Sequence, residues 1–338
     1  MFSDIYFRLL LEVMDEDPKI QYKPSITPSD TEHAAVTAVK YYGQLISSAY
    51  EQNPASDIGI KFGRYMTPIN SCDYSRLLTT AKNVGQCFHL LVEQYHTLNL
   101  KLLPMIHQRD GLVSISICFP YQEENNEPEI RFCSETFYSY CLNSLRELID
   151  ENINPIRVHL NYPKPQYAAQ LEDLFCCPII FDSALSMIEF EQDILSRELP
   201  SWNKIMHEVY LNRAQESWKD MKRLQSFRYR AVSKLMTQAP KFFNAQALAD
   251  DMNISMRGLQ KRLSAEGSSF SHISQLTRRE LVKVCLLQRH LNLEETTHIL
   301  GFQTQASFRR FFKGQFGVSP KSYLLKYVQE GCTEMAWM

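Results

Sequence analysis

No run of 18 or more apolar residues occurs in the chain, so no helical membrane span is expected. Glycine is sparse, eleven in 338 residues, and scattered; a glycine-rich phosphate loop is absent. There is no G-x-S-x-G elbow, and Asp182-Ser183, with His159 and His207 elsewhere, makes no recognised nucleophile arrangement. The nine cysteines (Cys72, Cys87, Cys118, Cys133, Cys141, Cys176, Cys177, Cys285 and Cys332) include no C-x-x-C pair. Their odd number argues against a disulfide framework and for free thiols packed as small hydrophobes in a reducing compartment. Cys176-Cys177 is the candidate redox pair. Met1 to Val13 lacks the cationic start, long apolar run and cleavage site of a signal peptide, so a cytoplasmic location is the expectation. His89, Glu93 and His96 share one helix face at i, i+4, i+7. That spacing suits a metal, but a polar face of an amphipathic helix explains it better. No catalytic residue, metal or cofactor is expected.

Excess charge of either sign is also missing, since the formal net is −2. That balance hides an asymmetry. From Lys219 to Glu330, 19 Lys and Arg face 8 Asp and Glu; from Met1 to Trp218, 17 face 29. A basic C-terminal part on an acidic N-terminal part implies a nucleic-acid-binding unit joined to one that avoids nucleic acid. The length suits two cores, and 44% hydrophobic residues are ample to fill them.

The basic part carries its own pattern. Leu300-Gly301-Phe302 reads as a tight turn, and Phe308, Phe311 and Phe312 then recur at helical spacing. Gln305, Arg309 and Arg310 point away from that greasy face. Arg and Gln are the side chains that make bidentate contacts to guanine and adenine edges in the major groove, as the second helix of a helix-turn-helix requires. A weaker copy lies upstream. Leu248 to Met252 leads to a turn at Asn253, Ser255 is a plausible N-cap, and Leu259 and Leu263 face inward at i, i+4 while Arg257 and Lys261 share another face. Leu259 and Phe308 hold equivalent places about fifty residues apart, an internal repeat. Between the copies, Ser271 to His290 reads as one helix with a stripe of Ile273, Leu276, Leu281, Val284, Leu287 and Leu291. At about 1.5 Å per residue it spans roughly 28 Å, close to the roughly 34 Å of one duplex turn.

This arrangement resembles the AraC/XylS-type transcriptional regulators. Gly301, Phe302, Gln305, Phe308, Arg310, Phe312, Lys313, Gly317, Ser319, Pro320 and Tyr323 match the family's signature, and the resemblance covers about Lys241 to Tyr323. Thr296-Thr297 departs from the usual Ile-Ala and competes for backbone hydrogen bonds; Ala306 replaces a commonly polar position. The candidate DNA contacts are Ser255, Met256, Arg257, Gln260, Lys261 and Arg262 in the first unit, and Gln303, Thr304, Gln305, Ala306, Arg309, Arg310 and Lys313 in the second.

The N-terminal part is α+β by pattern. Val36 to Tyr50, Ala81 to Leu98, Ser134 to Glu151 and Gln166 to Leu174 read as helices. Leu112 to Phe119 alternates with period two, a strand half-buried in a sheet. Glu129 to Phe132 reads as a paired strand and Ile156 to Leu160 as another. Ile179-Ile180-Phe181 and Ser186 to Phe190 read as a hairpin. Ser201 to Gln238 is read as helical. Asp57 to Gly63, the helix Ala81 to Leu98, Tyr167 to Phe181, and Leu195, Leu199 and Pro200 resemble the arabinose-binding-like effector domain of the ornithine-utilisation-regulator subgroup, over about Ile20 to Pro200. The family's "G-Y" after the glycine motif is replaced by Ser71-Cys72-Asp73-Tyr74.

The expectation is therefore a multidomain chain. An α+β effector and dimerisation domain spans 1–200 and a helical linker 201–238. An all-α domain of two tandem helix-turn-helix units joined by a linker helix spans 239–330. The expected partners are double-stranded promoter DNA, a second copy of the chain and RNA polymerase. An apolar or amphipathic effector would sit among Phe88, Tyr95, Phe119 and Tyr138. The alternative is an N-terminal domain that only dimerises or binds a protein.

Overall fold

The computed structural model describes residues 2–21, 34–66, 73–97, 102–120, 127–149 and 152–328. Leu98, Glu151, Ser71 and Cys72 lie outside them. Among the described residues no helix is long and apolar enough to cross a membrane.

The N-terminal part opens with five helices: α1 (Phe2–Asp15), α2 (Ala34–Gln52), α3 (Ile58–Tyr65), α4 (Asp73–Thr79) and α5 (Val84–Thr97). A five-stranded sheet follows: β1 (Leu103–Arg109), β2 (Leu112–Cys118), β3 (Arg157–His159), β4 (Ile179–Ile180) and β5 (Ser186–Glu191), in the order β1-β2-β5-β3-β4. Helices α6 (Glu127–Leu148) and α7 (Ala168–Phe175) lie between strands in the chain. β1 and β2 form a hairpin pairing Arg109 with Leu112. Asp110 and Gly111 turn it with positive φ at both positions, as a two-residue type I′ connection demands.

Four expectations change here. Glu129 to Phe132 is helical, because Pro128 in the first turn cannot hinder a helix and Glu127 and Glu129 complement the helix dipole. The expected hairpin of 179–190 does not form. Instead β4 pairs parallel with β3, while β5 pairs antiparallel with both β2 and β3. The amides of Asp182 and Ser183 bond back to Tyr162 and Leu160 and hold the connection at the β3 end. β2 is covered on both faces rather than one, since Ser114 and Ser116 are buried along with Val113, Ile115 and Ile117. Residues 271–290 are not one regular helix, as described below.

The inner face of the sheet packs Val113, Ile115, Ile117 and Phe190 against Phe88, Phe137 and Tyr138 from α5 and α6. A second apolar cluster joins α1, α2 and α3, with Leu10, Val13, Ile46, Tyr50 and Phe62. Helix α3 lies close on α6. A Cβ on Gly63 would come 2.5 Å from the Thr136 carbonyl oxygen, and one on Gly59 2.7 Å from Glu135 Oε2. The glycines near Asp57 are thus helix-packing residues.

Helix α8 (Lys204–Leu224) leads into the C-terminal part, and α9 (Phe227–Thr237) begins after Ser226, whose side chain caps it by accepting from the Tyr229 amide. A 3₁₀ turn over Lys241–Phe243 precedes α10 (Ala245–Asp251), α11 (Met256–Ala265), α12 (Phe270–Lys283), α13 (Leu293–Ile299), α14 (Gln305–Phe316) and α15 (Pro320–Val328). The expected single helix of 271–290 becomes α12 followed by a π turn, Val284–Gln288. The Arg289 amide reaches back to the Val284 carbonyl at 2.8 Å, and His290 then takes a left-handed φ of 49°. The wider turn aims Gln288 at the N-terminal sheet. The apolar cluster of the C-terminal part also takes in Leu103, Cys118 and Leu185, so the sheet's outer face is covered by the linker between the two helix-turn-helix units.

Candidate nucleic-acid interface

The two units share one local geometry. In the first, Asn244 caps α10 by accepting from the Gln246 and Ala247 amides. Asn253 takes a φ of 53°, and the Ile254 amide returns to the Ala249 carbonyl at 3.0 Å. Ser255 then caps α11. In the second, Asn292 and Glu295 form a reciprocal capping box on α13. Gly301 takes a φ of 72°, the Phe302 amide returns to the Thr297 carbonyl at 3.1 Å, and Thr304 caps α14. The turns lie 48 residues apart (253 to 301) and the caps 49 (255 to 304), so the second loop carries one extra residue.

Helices α11 and α14 bury equivalent anchors. Leu259, Leu263, Phe308 and Phe312 have no exposed surface. The aromatic ring of Phe312 continues into Phe316 and Tyr323 at centroid separations of 4.6 and 5.3 Å, which ties α14 to α15. Thr297, expected to compete for backbone hydrogen bonds, is buried and donates to the Leu293 carbonyl at 2.6 Å. The hydroxyl of the fully buried Thr296 has no partner.

Opposite these anchors lies a polar, cationic face. Ser255, Arg257, Gln260, Lys261 and Arg262 are exposed on the first unit; Gln303, Thr304, Gln305, Ala306, Arg309, Arg310 and Lys313 are exposed on the second. Neither α11 nor α14 contains a carboxylate. Two members of the candidate set are partly engaged: Arg262 lies 5.4 Å from the Phe227 ring centroid and Arg309 donates to Gln305 Oε1 at 3.4 Å. Met256 is half-buried against the core and works chiefly in packing.

Residues that the sequence did not single out hold the two units together. Arg278 of α12 donates to the Leu300 carbonyl at 2.8 Å. Its guanidinium lies 4.1 Å from the Phe243 ring and 4.9 Å from Phe302. Glu280 sits fully buried on the same helix. Burial pushes its carboxyl up, but Lys283, Arg279 and the Phe119 amide outweigh it and hold it below the ordinary range. The signal for both was polar residues interrupting the apolar stripe of the linker helix, a pattern that calls for polar partners elsewhere.

The expected effector residues are placed differently. Phe88, Tyr95 and Tyr138 are buried as close-packed core, with Tyr95 edge-on to Phe137 at 5.1 Å and Phe137 edge-on to Tyr138 at 5.4 Å. The void beside Phe88 measures about 30 Å³, room for one water. Phe119 is buried in the same cluster and also borders a larger cleft between the two parts of the chain. His89 and Glu93 are exposed, whereas His96 turns inward to Ser233 Oγ and the Pro104 carbonyl; the three do not converge.

A buried polar cluster does occur nearby. Tyr162 and Tyr167 donate to Glu135 Oε1 at 3.0 and 2.5 Å. Arg131 lies 3.8 Å from the Tyr50 ring centroid. Glu135 Oε2 has no partner and packs against Gly59. Burial raises the carboxyl's pKa to about 7 against the tyrosine hydrogen bonds and Arg131.

Two known sequence profiles match within these two parts. The arabinose-binding domain of AraC transcription regulators, N-terminal, matches residues 25–199, and a helix-turn-helix domain matches residues 248–326. The first covers just over half of the chain, and the chain belongs to the AraC transcription regulators with this N-terminal domain. The ornithine utilization regulator of Pseudomonas aeruginosa is 22% identical over 176 residues, 52% of each chain. The transcriptional activator AggR of Escherichia coli is 30% identical over 77 residues, 23% of this chain and 29% of its own. The HTH-type transcriptional regulator VirS of Mycobacterium tuberculosis is 32% identical over 80 residues, 24% of each. The alignments thus span about half of the first of these relatives and under a third of the others. The crystal structure of the transcriptional regulator CdpR from Pseudomonas aeruginosa superposes with a TM-score of 0.48 at 19% identity, over 95% of this chain and 98% of that one.

Proposed function

We propose that this chain is a sequence-specific DNA-binding transcription regulator that reads promoter DNA through α11 and α14. One observation carries the reading. Two equivalent helices, each held by buried anchors and a polar N-cap, expose arginine, lysine and glutamine with no carboxylate between them. Such faces supply both the phosphate attraction and the base-edge donors that duplex recognition needs. The regulatory names of its relatives support the same role. In this reading, 239–330 binds DNA, 201–238 connects, and 1–200 dimerises and responds to an effector, with RNA polymerase as a further partner. No catalytic step is involved, and the site of action is the cytoplasm.

A genome-wide binding map with the full chain tests it. The expected result is a set of enriched sites with two conserved segments about one helical turn apart. Uniform, salt-sensitive binding without an enriched sequence would overturn it. The close-packed interior around Phe88 and Tyr138 favours a second reading of the N-terminal part, in which that interior takes no small molecule and the part serves for dimerisation or protein contact.

A further inference from the structure

Arg278 stands on α12, between the two helix-turn-helix units, and touches both. Its guanidinium carbon lies 4.1 Å from the ring centroid of Phe243, in the 3₁₀ turn that precedes α10 of the first unit. It lies 4.9 Å from that of Phe302, in the turn of the second. Its Nε donates to the Leu300 carbonyl at 2.8 Å. Leu300 is the C-cap of α13, so its carbonyl belongs to those that a helix end leaves without an intrahelical partner. One planar group thus meets two rings and closes a helix end.

The contacts extend outward on both sides. The Phe302 ring centroid lies 6.0 Å from that of Phe308 and 5.2 Å from that of Phe311, both on α14. Phe243 precedes Asn244, whose side chain caps α10. A continuous line of contacts therefore runs from α14 through Phe302, Arg278 and Phe243 to the start of α10. Arginine suits the middle of that line. A planar guanidinium lies against rings while its edge donates, whereas a lysine ammonium is a point charge without that plane. The side chain is half-buried. Burial disfavours its charge and lowers its pKa, and the rings and the carbonyl offset that cost.

Resting on the regulator reading above, we infer that Arg278 is the positioning residue that sets which spacing and phase of two DNA segments this chain accepts. Its guanidinium is engaged within the protein, so it acts through the helices it joins. Inserting one base pair moves a segment about 3.4 Å along the duplex and turns it by about 35°. A hydrogen bond and ring contacts of these lengths do not survive such a shift. With the contacts made, α11 and α14 present one separation. A site of the wrong spacing then loses either one segment or the arginine contacts. Without them the second unit is still tethered by α12, but it gains play about the π turn that follows, and several spacings become acceptable.

The test uses the full chain. A two-segment site is first selected from random duplex DNA, and its spacer is then lengthened or shortened by one base pair. Affinities are measured below the melting temperature of every variant. The unaltered chain is expected to lose about tenfold or more on either change, and Arg278→Met about threefold or less. The affinity of Arg278→Met for a duplex carrying the α11 segment alone should stay within about twofold of the unaltered chain. Arg278→Lys, which keeps the charge and the stem, should relax the spacing in the same direction and carries the test if Arg278→Met does not fold. Leu281→Val, a core change on the same helix, should lower the melting temperature and keep the spacing preference, which separates positioning from stability. The inference is overturned if the arginine variants keep the preference of the unaltered chain, if their affinity falls equally at every spacing, or if neither folds. It is overturned too if the unaltered chain selects a sequence but tolerates all spacings. Failure of the regulator reading shows differently, as no sequence enriched from the random duplex at all.

Discussion

Ser116 and Gln288 join the two parts of the chain through a buried hydrogen bond, Ser116 Oγ donating to Gln288 Oε1 at 2.8 Å. The other end of Gln288 donates to Ser114 Oγ at 3.1 Å and to the Ser114 and Met105 carbonyls at 3.2 Å. One side chain from the π turn thus satisfies several polar groups on the outer face of the sheet. Gln288→Ala takes these bonds from buried groups, leaving Ser114 Oγ only the longer bond it donates to the His107 carbonyl at 3.4 Å, and an unfolding free-energy loss of about 1–3 kcal/mol is expected. Denaturant unfolding checks this. A variant as stable as the unaltered chain would mean that water replaces the glutamine freely.

The same interface sets how far the C-terminal part can stand alone. Leu103, Cys118 and Leu185 share its apolar cluster, and Tyr229 donates to the Tyr95 carbonyl at 2.8 Å. A fragment from Gln215 onward keeps both helix-turn-helix cores but uncovers the linker face that meets the sheet. It is expected to bind DNA more weakly than the full chain, since the effective concentration of a tethered partner is lost, and to melt at a lower temperature. Equal melting temperatures would show that the interface contributes nothing to stability.

Gly301 does two jobs at the second turn. Its φ of 72° suits glycine, and a Cβ there would come 3.0 Å from Phe243 Cβ, in the 3₁₀ turn of the first unit. Gly301→Ala combines the left-handed cost with a close contact between units, so a loss of about 1–3 kcal/mol is expected. Because Phe243 also carries the Arg278 guanidinium, the variant should weaken DNA binding at the half-site read by α14 more than at the other. Footprinting on a two-segment site would reveal it; equal losses at both segments would count against this coupling.

Much of the C-terminal part was legible because its signals are local. A residue suited to left-handed φ, an N-cap two or three residues later and anchors at i, i+4 occur twice in one order, and backbone sterics leave few other ways to fold them. The N-terminal part was less legible. The strand Leu103–Arg109 reads Leu-Pro-Met-Ile-His-Gln-Arg, which does not alternate, and neither it nor its turn at Asp110-Gly111 was foreseen. Strand order was hidden because β4 reaches its partner by a crossover through α7 rather than by a hairpin. Ser114 and Ser116 read as a solvated face, because nothing local in β2 announces a cover more than 160 residues away in sequence. For the same reason the cleft beside Phe119 was not foreseen: its walls come from three distant segments.

Glu135 makes stability depend on pH. Its pKa in the fold, about 7, lies above the ordinary carboxylate value. The protonated form is thus the one the fold favours. Its contribution is complete below the ordinary value, near 4.5, and is lost as pH rises through about 7. Burial holds His96, His207 and His290 below their ordinary range, so they act with the opposite sign in an overlapping window. Comparison with Glu135→Gln isolates the carboxyl. The variant should gain on the order of 1–3 kcal/mol relative to the unaltered chain between pH ~5 and ~8, read from chemical unfolding at each pH. Parallel stability curves would mean that the carboxyl is already ionised at the lower pH.

Arg257 and Arg310 provide the direct test of the DNA interface. Both are exposed, on the faces of α11 and α14 opposite Leu259 and Phe308, so truncation should leave the melting temperature almost unchanged. Arg257 occupies the first turn of its helix, where groove-entering helices commonly meet base edges. Arg257→Ala is expected to weaken specific binding about tenfold or more, with the loss concentrated at one base position. Arg310 lies a turn further along α14, and Ala306 beside it offers no polar group. Arg310→Ala is therefore expected to act as a phosphate contact, lowering affinity evenly across sequences and reducing the salt slope by about one. Binding by Arg257→Ala equal to that of the unaltered chain at moderate salt would remove α11 from the groove. A loss confined to one base position in Arg310→Ala would instead make that arginine a base reader.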